Sequence, residues 1–440
     1  MLSAGVPGTV AGLHHALTKY GTMTWQEVLE PSIRLAEEGF AVPHDLANIL
    51  ASSRYKKRLS SNEAAAKSYY KSDKSNYQAG EILKLPDLAW TLKQLSDNGP
   101  DAFYKGEIAK WIEEDSLSNG GLITLKDLAS YEAKDRTPIS INYRGYKIVS
   151  MAPVASGGLV LLQIMSILEN FDLEALGHNS AATIHLLSES MQRAYADRAR
   201  YHGDPDFYDV PIKKLLSKKY LKSRSQSITN LRTEDGVIYA GDLSKIDESP
   251  DTTHFSVIDS QGNAVSNTYT LGSSFGSGVT IEKGGFLMNN QMRNFSHFYG
   301  KSDSISLGTS EANKLEPGKR MISTQTPTLV FNPQGELFMV LGSPGGGRIP
   351  NIIAQVISNV IDHKMSFASA VMAPRINQRL EGNLELENGF SPDTISLLEK
   401  KGHNVKSSLT MGSVQAIFIK DKVIYGVADT RRPGALAKGN

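Results

Sequence analysis

The sequence predicts an α+β protein, with helices gathered in its first half and strands in its second. Three observations carry this. Apolar residues recur at helical spacing through residues 9–130. Alternating β-branched and aromatic residues dominate after residue 252. Between them, from Lys222 to Asp251, the composition turns to Ser, Thr, Asp and Lys and reads as a mobile surface segment. Such segregation favours stacked layers of helix and sheet over alternating βαβ units.

Each element follows from local chemistry. Trp25–Glu30 and Ile33–Glu38 place apolar groups on one helical face, as does Leu88–Leu95, which stops at Asn98-Gly99-Pro100. Thr124 with Asp127 three residues on is a helix-capping pair. Ile139, Ile141 and Tyr143, then Tyr146, Ile148 and Val149, predict two strands joined by a turn at Arg144-Gly145. Ser156-Gly157-Gly158 opens an apolar helix from Leu159 to Phe171, and a second helix spans Ala181 to Tyr201. Its Gln192, Arg193, Asp197 and Arg198 read as a solvated or salt-bridged face.

Downstream, Phe255–Asp259 and Ala264–Leu271 flank the turn Ser260-Gln261-Gly262-Asn263 and predict a hairpin. Gly285–Asn289, Thr328–Phe331 and Leu337–Leu341 are further predicted strands, the last two joined by a turn at Asn332–Gly335. A helix follows Gly345-Gly346-Gly347, with Ile352, Ile353, Val356, Ile357, Val360 and Ile361 on one face. Ala416–Ile419 and Val423–Gly426 close the chain as strands.

Composition narrows the function. The 440 residues are 40% hydrophobic and 21% charged, ordinary for a globular protein that buries its own core. With 47 basic and 46 acidic residues and no polybasic run, neither nucleic acid nor an anionic membrane is an expected partner. Cysteine is absent, which removes disulfides, thiolate chemistry and Cys-ligated zinc. No apolar run approaches the roughly 18 residues of a spanning helix. Met1–Gly8 lacks the basic start and long apolar stretch of a signal peptide. The histidines show no H-E-x-x-H pattern, so neither metal nor cofactor is expected.

One constellation stands out. Asp251-Thr252-Thr253-His254-Phe255-Ser256 follows the polar segment and opens a strand. Thr-Thr before β-branched residues is ordinary strand sequence. It also suits a threonine that cuts its own chain between Asp251 and Thr252 and then uses its new α-amine as base for its hydroxyl. Thr270 ends the partner strand of the predicted hairpin, where its hydroxyl faces the beginning of the first. His254 reads as a packed, hydrogen-bonded histidine or a support for the site. Gly342-Ser343-Pro344-Gly345-Gly346-Gly347 sits between a strand and a helix. It is either a tight turn or an oxyanion hole built from two glycine amides. Gly272-Ser273-Ser274-Phe275-Gly276 matches G-x-S-x-G, but no helix is predicted after it, so it does not read as a nucleophile elbow.

With these residues in place, the chain resembles the γ-glutamyltranspeptidases (glutathione hydrolases) of the N-terminal-nucleophile hydrolase superfamily. The likeness runs end to end. Gly5-Val6-Pro7-Gly8-Thr9-Val10-Ala11-Gly12, Lys19-Tyr20-Gly21-Thr22-Met23, Tyr143-Arg144-Gly145-Tyr146 and Gly203-Asp204-Pro205-Asp206-Phe207 resemble the family's large subunit. Thr252–Ser256, Asn289-Asn290-Gln291-Met292, Gly342–Gly346 and Phe390-Ser391-Pro392-Asp393 resemble its small subunit.

The resemblance implies a four-layer αββα sandwich. It implies a precursor that cuts itself between Asp251 and Thr252 into a large part, 1–251, and a small part, 252–440, which stay packed as a heterodimer in one intertwined domain. Thr252 is then the nucleophile, Thr270 hydrogen-bonds it, and the Gly345 and Gly346 amides bind the oxyanion. Ser323 and Thr324 meet the substrate α-carboxylate, where the family usually has Ser-Ser. The substrate is a small γ-glutamyl amide, and the acyl acceptor is water, an amino acid or a peptide. Two positions differ from the family: Gly272 stands where a polar side chain usually meets the α-amino group, and Asn294 where an aspartate does. Family members also carry an N-terminal segment, usually exported, with core strands and a carboxylate-binding arginine. The match begins downstream of it, so the expectation is an N-terminally truncated member. An acylase acting on a different amide and an inactive homologue are the alternatives. The segment Phe298–Leu315 is a candidate lid.

Overall fold

The computed structural model describes residues 1–238, 252–296 and 310–439. Asp251 and most of the candidate lid lie outside them. The chain divides into two compact units, Met1–Asp135 with Leu271–Arg293, and Arg136–Thr270 with Asn294–Asn440. Each unit therefore takes residues from both sides of position 252.

The first unit is mainly helical. Its longer helices are α1 (Thr9–Tyr20), α2 (Trp25–Glu38), α3 (Pro86–Asn98), α4 (Glu107–Ser118) and the short α5 (Leu125–Ala129). The expected stop of α3 is Gly99 at φ 68°, and Thr124 and Asp127 form the predicted reciprocal cap of α5. Leu95, Phe103, Ile108, Ile112 and Leu128 pack with Ile281 and Met288 into one core. Residues Gly285–Asn289 are not a strand. The only β feature there is an isolated bridge between Thr280 and Leu287. The apolar groups of this segment fill the core, while its amides close local turns such as Gly285 N to Ile281 O at 2.9 Å.

The second unit is layered. Its longer elements are β1 (Ile139–Tyr143), β2 (Tyr146–Ser150), α6 (Ser156–Leu168), α7 (Ala181–Tyr201), α8 (Lys218–Gln226), β3 (Thr253–Ile258), β4 (Ala264–Tyr269), β5 (Thr328–Phe331), β6 (Leu337–Gly342), α9 (Ile349–Ile361), β7 (Gln415–Lys420) and β8 (Val423–Ala428). Six strands form one antiparallel sheet in the order β8-β7-β6-β5-β2-β1. Arg144 and Gly145, both at positive φ, make the predicted turn between β1 and β2.

On one face Ile148, Val330, Met339, Leu341, Ala416 and Phe418 join the apolar sides of α6, α7 and α9 in the main core. On the other lies the β3–β4 hairpin. Its Ser256 Oγ donates to Gln415 O at 3.0 Å, and its Ser266 Oγ donates to Leu341 O at 3.0 Å. Helices, sheet and hairpin make a mixed α+β architecture, as expected.

One sequence expectation changes here and another narrows to one of its two alternatives. Part of the supposedly mobile segment is ordered: α8 runs through Gln226 with Leu221 and Ser225 buried. After it the chain is pinned to α7, with Thr233 N donating to Glu189 Oε1 at 3.0 Å. Residues 239–251 lie outside the described residues. The polar face of α7, expected to be solvated or salt-bridged, is salt-bridged and buried. Gln192, Arg193, Asp197 and Arg198 are at most 2% exposed. Arg193 pairs with Glu189 at 2.7 Å and Asp197 with Arg224 at 3.2 Å. Glu189 lies one turn away on the same helix, while Ser227 on Arg193, Arg224 on Asp197 and Ser156 on Arg198 come from other elements and help satisfy the buried charges.

Candidate active site

Strand register places the two threonines together. β3 and β4 pair from Ile258–Ala264 to Thr253–Tyr269, so Thr252 and Thr270 are the next opposed positions, just past the ladder's end. Thr252 Oγ1 donates to Thr270 Oγ1 at 3.5 Å. Arg432, just after β8, donates from Nη1 to Thr252 O at 2.9 Å. The tail that carries it is held by a buried ion network. Arg375 meets Asp429 at 2.6 Å, and Arg431 meets both Asp429 at 3.2 Å and Glu387 at 2.7 Å. Nothing in the linear sequence singled out Arg432, because its partner lies 180 positions away.

His254 is packed and hydrogen-bonded, as one of its two readings had it. Its Nδ1 lies 2.7 Å from Thr268 Oγ1 and its Nε2 3.1 Å from Ser256 Oγ, so both nitrogens are committed to hydroxyls. The ring rests on Gly342, where a Cβ would come within 2.2 Å of it. Burial pulls its pKa down to about 4.

Burial likewise pulls His202 down to about 3 and, helped by His185, His403 down to about 4. All three are neutral when folded and return to about 6.5 when unfolded. The unfolded chain thus binds more protons, and stability is lost as pH falls from 6.5 towards 4. His254 alone contributes on the order of 3 kcal/mol of loss by pH 4. Urea unfolding at pH 7 and pH 4.5 checks this; equal midpoints at both would contradict it.

Gly342 ends β6 and starts the glycine turn. Gly345 (φ 145°) and Gly346 (φ 55°) adopt conformations that side chains resist, and α9 begins at Ile349. Among the described residues neither the Gly345 nor the Gly346 N–H donates to a protein acceptor. Both residues are buried. Buried glycine N–H groups at the head of a helix are chemically suited to meeting an anion.

Ser323 and Thr324 lead into β5. Ser323 forms a parallel bridge with Ala155, and its carbonyl accepts from Ser156 N and Ser156 Oγ, each at 2.6 Å. Thr324 is buried. Asn294 reaches the same region through buried Asn313. That side chain donates from Nδ2 to Asn294 O at 2.7 Å and accepts from Ile322 N at 3.2 Å. Asn313 is a second contact the sequence did not reveal.

These pieces leave one end of one strand pair. Thr328 of β5 is opposite Leu341 of β6, so the Ser323–Thr324 loop and the glycine turn emerge side by side. The hairpin runs over the same end, with Ser266 Oγ accepting from Thr328 N at 3.1 Å and His254 on Gly342. Thr252 and Thr270 extend beyond it.

Gly272 lies in the other unit at φ 95°. A Cβ there would sit 2.1 Å from Asn290 Oδ1, which accepts from Ser273 N at 2.9 Å. The volume of a side chain is already taken by Asn290. Gly272→Asn is therefore expected to lower stability by about 1–3 kcal/mol, measured by thermal unfolding, rather than to add an α-amino contact. An unchanged midpoint would contradict this. Residues 272–276 form turns with no following helix, so Ser274 sits on no nucleophile elbow. Among the described residues no group of three His, Asp or Glu side chains could hold a metal ion.

The layered sheet, the hairpin-borne threonine pair and the glycine turn define an N-terminal-nucleophile hydrolase fold. The family model described as Gamma-glutamyltranspeptidase matches residues 1–439, and the chain belongs to that family. It is 43% identical to the glutathione hydrolase proenzyme of Escherichia coli (strain K12), over 100% of this chain and 75% of the relative. The crystal structure of cephalosporin acylase from Bacillus halodurans superposes with a TM-score of 0.85 at 27% identity, covering 100% of this chain and 79% of that one. The Helicobacter pylori γ-glutamyltranspeptidase structure is 44% identical with a TM-score of 0.51, over 52% of this chain and 65% of that one.

Proposed function

We propose that the chain is a self-processing threonine amidohydrolase and acyltransferase that cleaves γ-glutamyl amides such as glutathione. The observation that carries this is the opposed Thr252–Thr270 pair, placed at the strand end where, among the described residues, two buried glycine amides donate to no protein acceptor. In the continuous chain the nitrogen of Thr252 is an amide and cannot serve as base. Thr252 Oγ1 attacks the Asp251 carbonyl, the acyl group shifts from nitrogen to oxygen, and water hydrolyses the ester. Parts 1–251 and 252–440 stay together as a heterodimer, and the freed α-amine becomes basic.

In turnover the amine takes the Thr252 hydroxyl proton as Oγ1 attacks the γ-carbonyl. The Gly345 and Gly346 N–H groups receive the oxyanion. Collapse expels the leaving amine with that proton and leaves a γ-glutamyl-Thr252 ester. Water, an amino acid or a peptide then takes the acyl group. Thr270 orients the nucleophile, Ser323 and Thr324 hold the α-carboxylate, and Asn294 faces the α-amino group.

Gly272 and the neutral Asn294 favour a second reading, an acylase on a different amide. A γ-glutamyl anilide tested against a panel of simple N-acyl amides separates the two. Anilide release with γ-glutamyl transfer to glycylglycine is expected, whereas release from the N-acyl amides alone would establish the acylase.

A further inference from the structure

The buried polar face of α7 has a use that burial alone does not explain. Tyr195 and Arg198 lie one turn apart, with the guanidinium 5.9 Å from the Tyr195 ring centre. Each reaches a different loop of the candidate site. Arg198 Nε donates to Ser156 Oγ at 2.7 Å, and Ser156 Oγ donates onward to Ser323 O at 2.6 Å. Tyr195 Oη donates to Gly347 O in the glycine turn.

The fit is close at both loops. A Cβ on Gly157 would meet Thr326 Oγ1, Thr324 O and Gln325 O at 2.3–2.6 Å, so the start of α6 lies directly against the Ser323–Thr326 backbone. The glycine turn has no side chains of its own at 345–347 with which to fix its peptide planes. Its carbonyl at Gly347 needs an external donor.

We infer that α7 is the positioning element of the site: Arg198, acting through Ser156, sets the Ser323–Thr324 loop for the substrate carboxylate, and Tyr195 sets the glycine turn for the oxyanion. The inference rests on the γ-glutamyl reading of the site. A cation beside the Ser156 hydroxyl strengthens it as a donor to Ser323 O. The two arms act at different stages of the reaction. Carboxylate binding is made in the ground state, while oxyanion binding is made only in the transition state.

The two arms therefore separate kinetically. On self-processed protein, Ser156→Ala is expected to raise KM for a γ-glutamyl anilide about three- to tenfold with kcat nearly unchanged. With a 4-aminobutyryl anilide, which lacks the α-carboxylate, Ser156→Ala and wild type should share the same KM. Tyr195→Phe is expected to lower kcat about three- to tenfold while KM holds. If Ser156→Ala does not self-process, Arg198→Lys replaces it, with the same expected rise in KM. A fall in kcat with unmoved KM in both variants would mean only a smaller active fraction, and would overturn the inference. So would wild-type parameters in both. If wild type itself releases nothing from the γ-glutamyl anilide, the functional reading fails and the inference with it.

Discussion

Thr252→Ala is expected to run as one unbroken chain on a denaturing gel, where wild type runs as fragments 1–251 and 252–440. It is also expected to lose at least about 10³-fold in amide cleavage. The expected loss is large because the proposed mechanism gives one residue two roles. Its hydroxyl would both cut the chain and attack substrate, and its amine would exist only after the cut. No neighbour replaces it: His254 has both ring nitrogens committed to Thr268 and Ser256. Thr252→Ser separates the roles by restoring a hydroxyl, and should recover processing and part of the turnover. N-terminal sequencing of the smaller fragment should begin TTHFS. A wild-type chain that stays intact through long incubation, or a Thr252→Ala chain that is cut at the same bond, would remove the basis of the mechanism.

Gly345→Ala is expected to lower kcat about 10²- to 10³-fold with little change in KM, the cost of one misplaced oxyanion donor. At φ 145° an L-residue is strained, and the added Cβ would lie 3.2 Å from Ile352 Cδ1. Relief of both turns the Gly345–Gly346 peptide and carries the Gly346 N–H off its line. Gly335→Ala is the control. It has φ 85°, nothing within 4 Å of its Cβ, and a place at the opposite end of the same strand pair. It should cost about 1 kcal/mol of stability without touching kcat. Equal kinetic losses in the two variants would reduce the glycine turn to a structural feature.

Much of this arrangement was legible in the residues. The α3 stop at Gly99, the Thr124 cap, the Arg144-Gly145 turn and the bounds of α7 all follow from local chemistry. So does the β3–β4 hairpin, and with it the opposition of Thr252 and Thr270, because a turn fixes register and register fixes who faces whom. The family motifs then gave these threonines a shared role with the glycine turn. Gly285–Asn289 misled because an apolar run is equally suited to a strand or to irregular backbone in a core.

What escaped was whatever depends on partners far along the chain. Hydropathy marks Arg193, Asp197 and Arg198 as surface residues, yet Ser227, Arg224 and Ser156 meet them in the interior. The same holds for Arg432 on Thr252 and for Asn313 between Asn294 and Ile322. A polar side chain carries no mark of whether water or a distant group will satisfy it.

By itself the sequence determined the elements, the threonine pair and the family, since each rests on spacing, turn chemistry or motif within a short stretch. Only the tertiary structure decided that the polar side of α7 faces inward onto two loops of the site. Burying those groups becomes tolerable only when the fold delivers their hydrogen-bond partners from elsewhere in the chain.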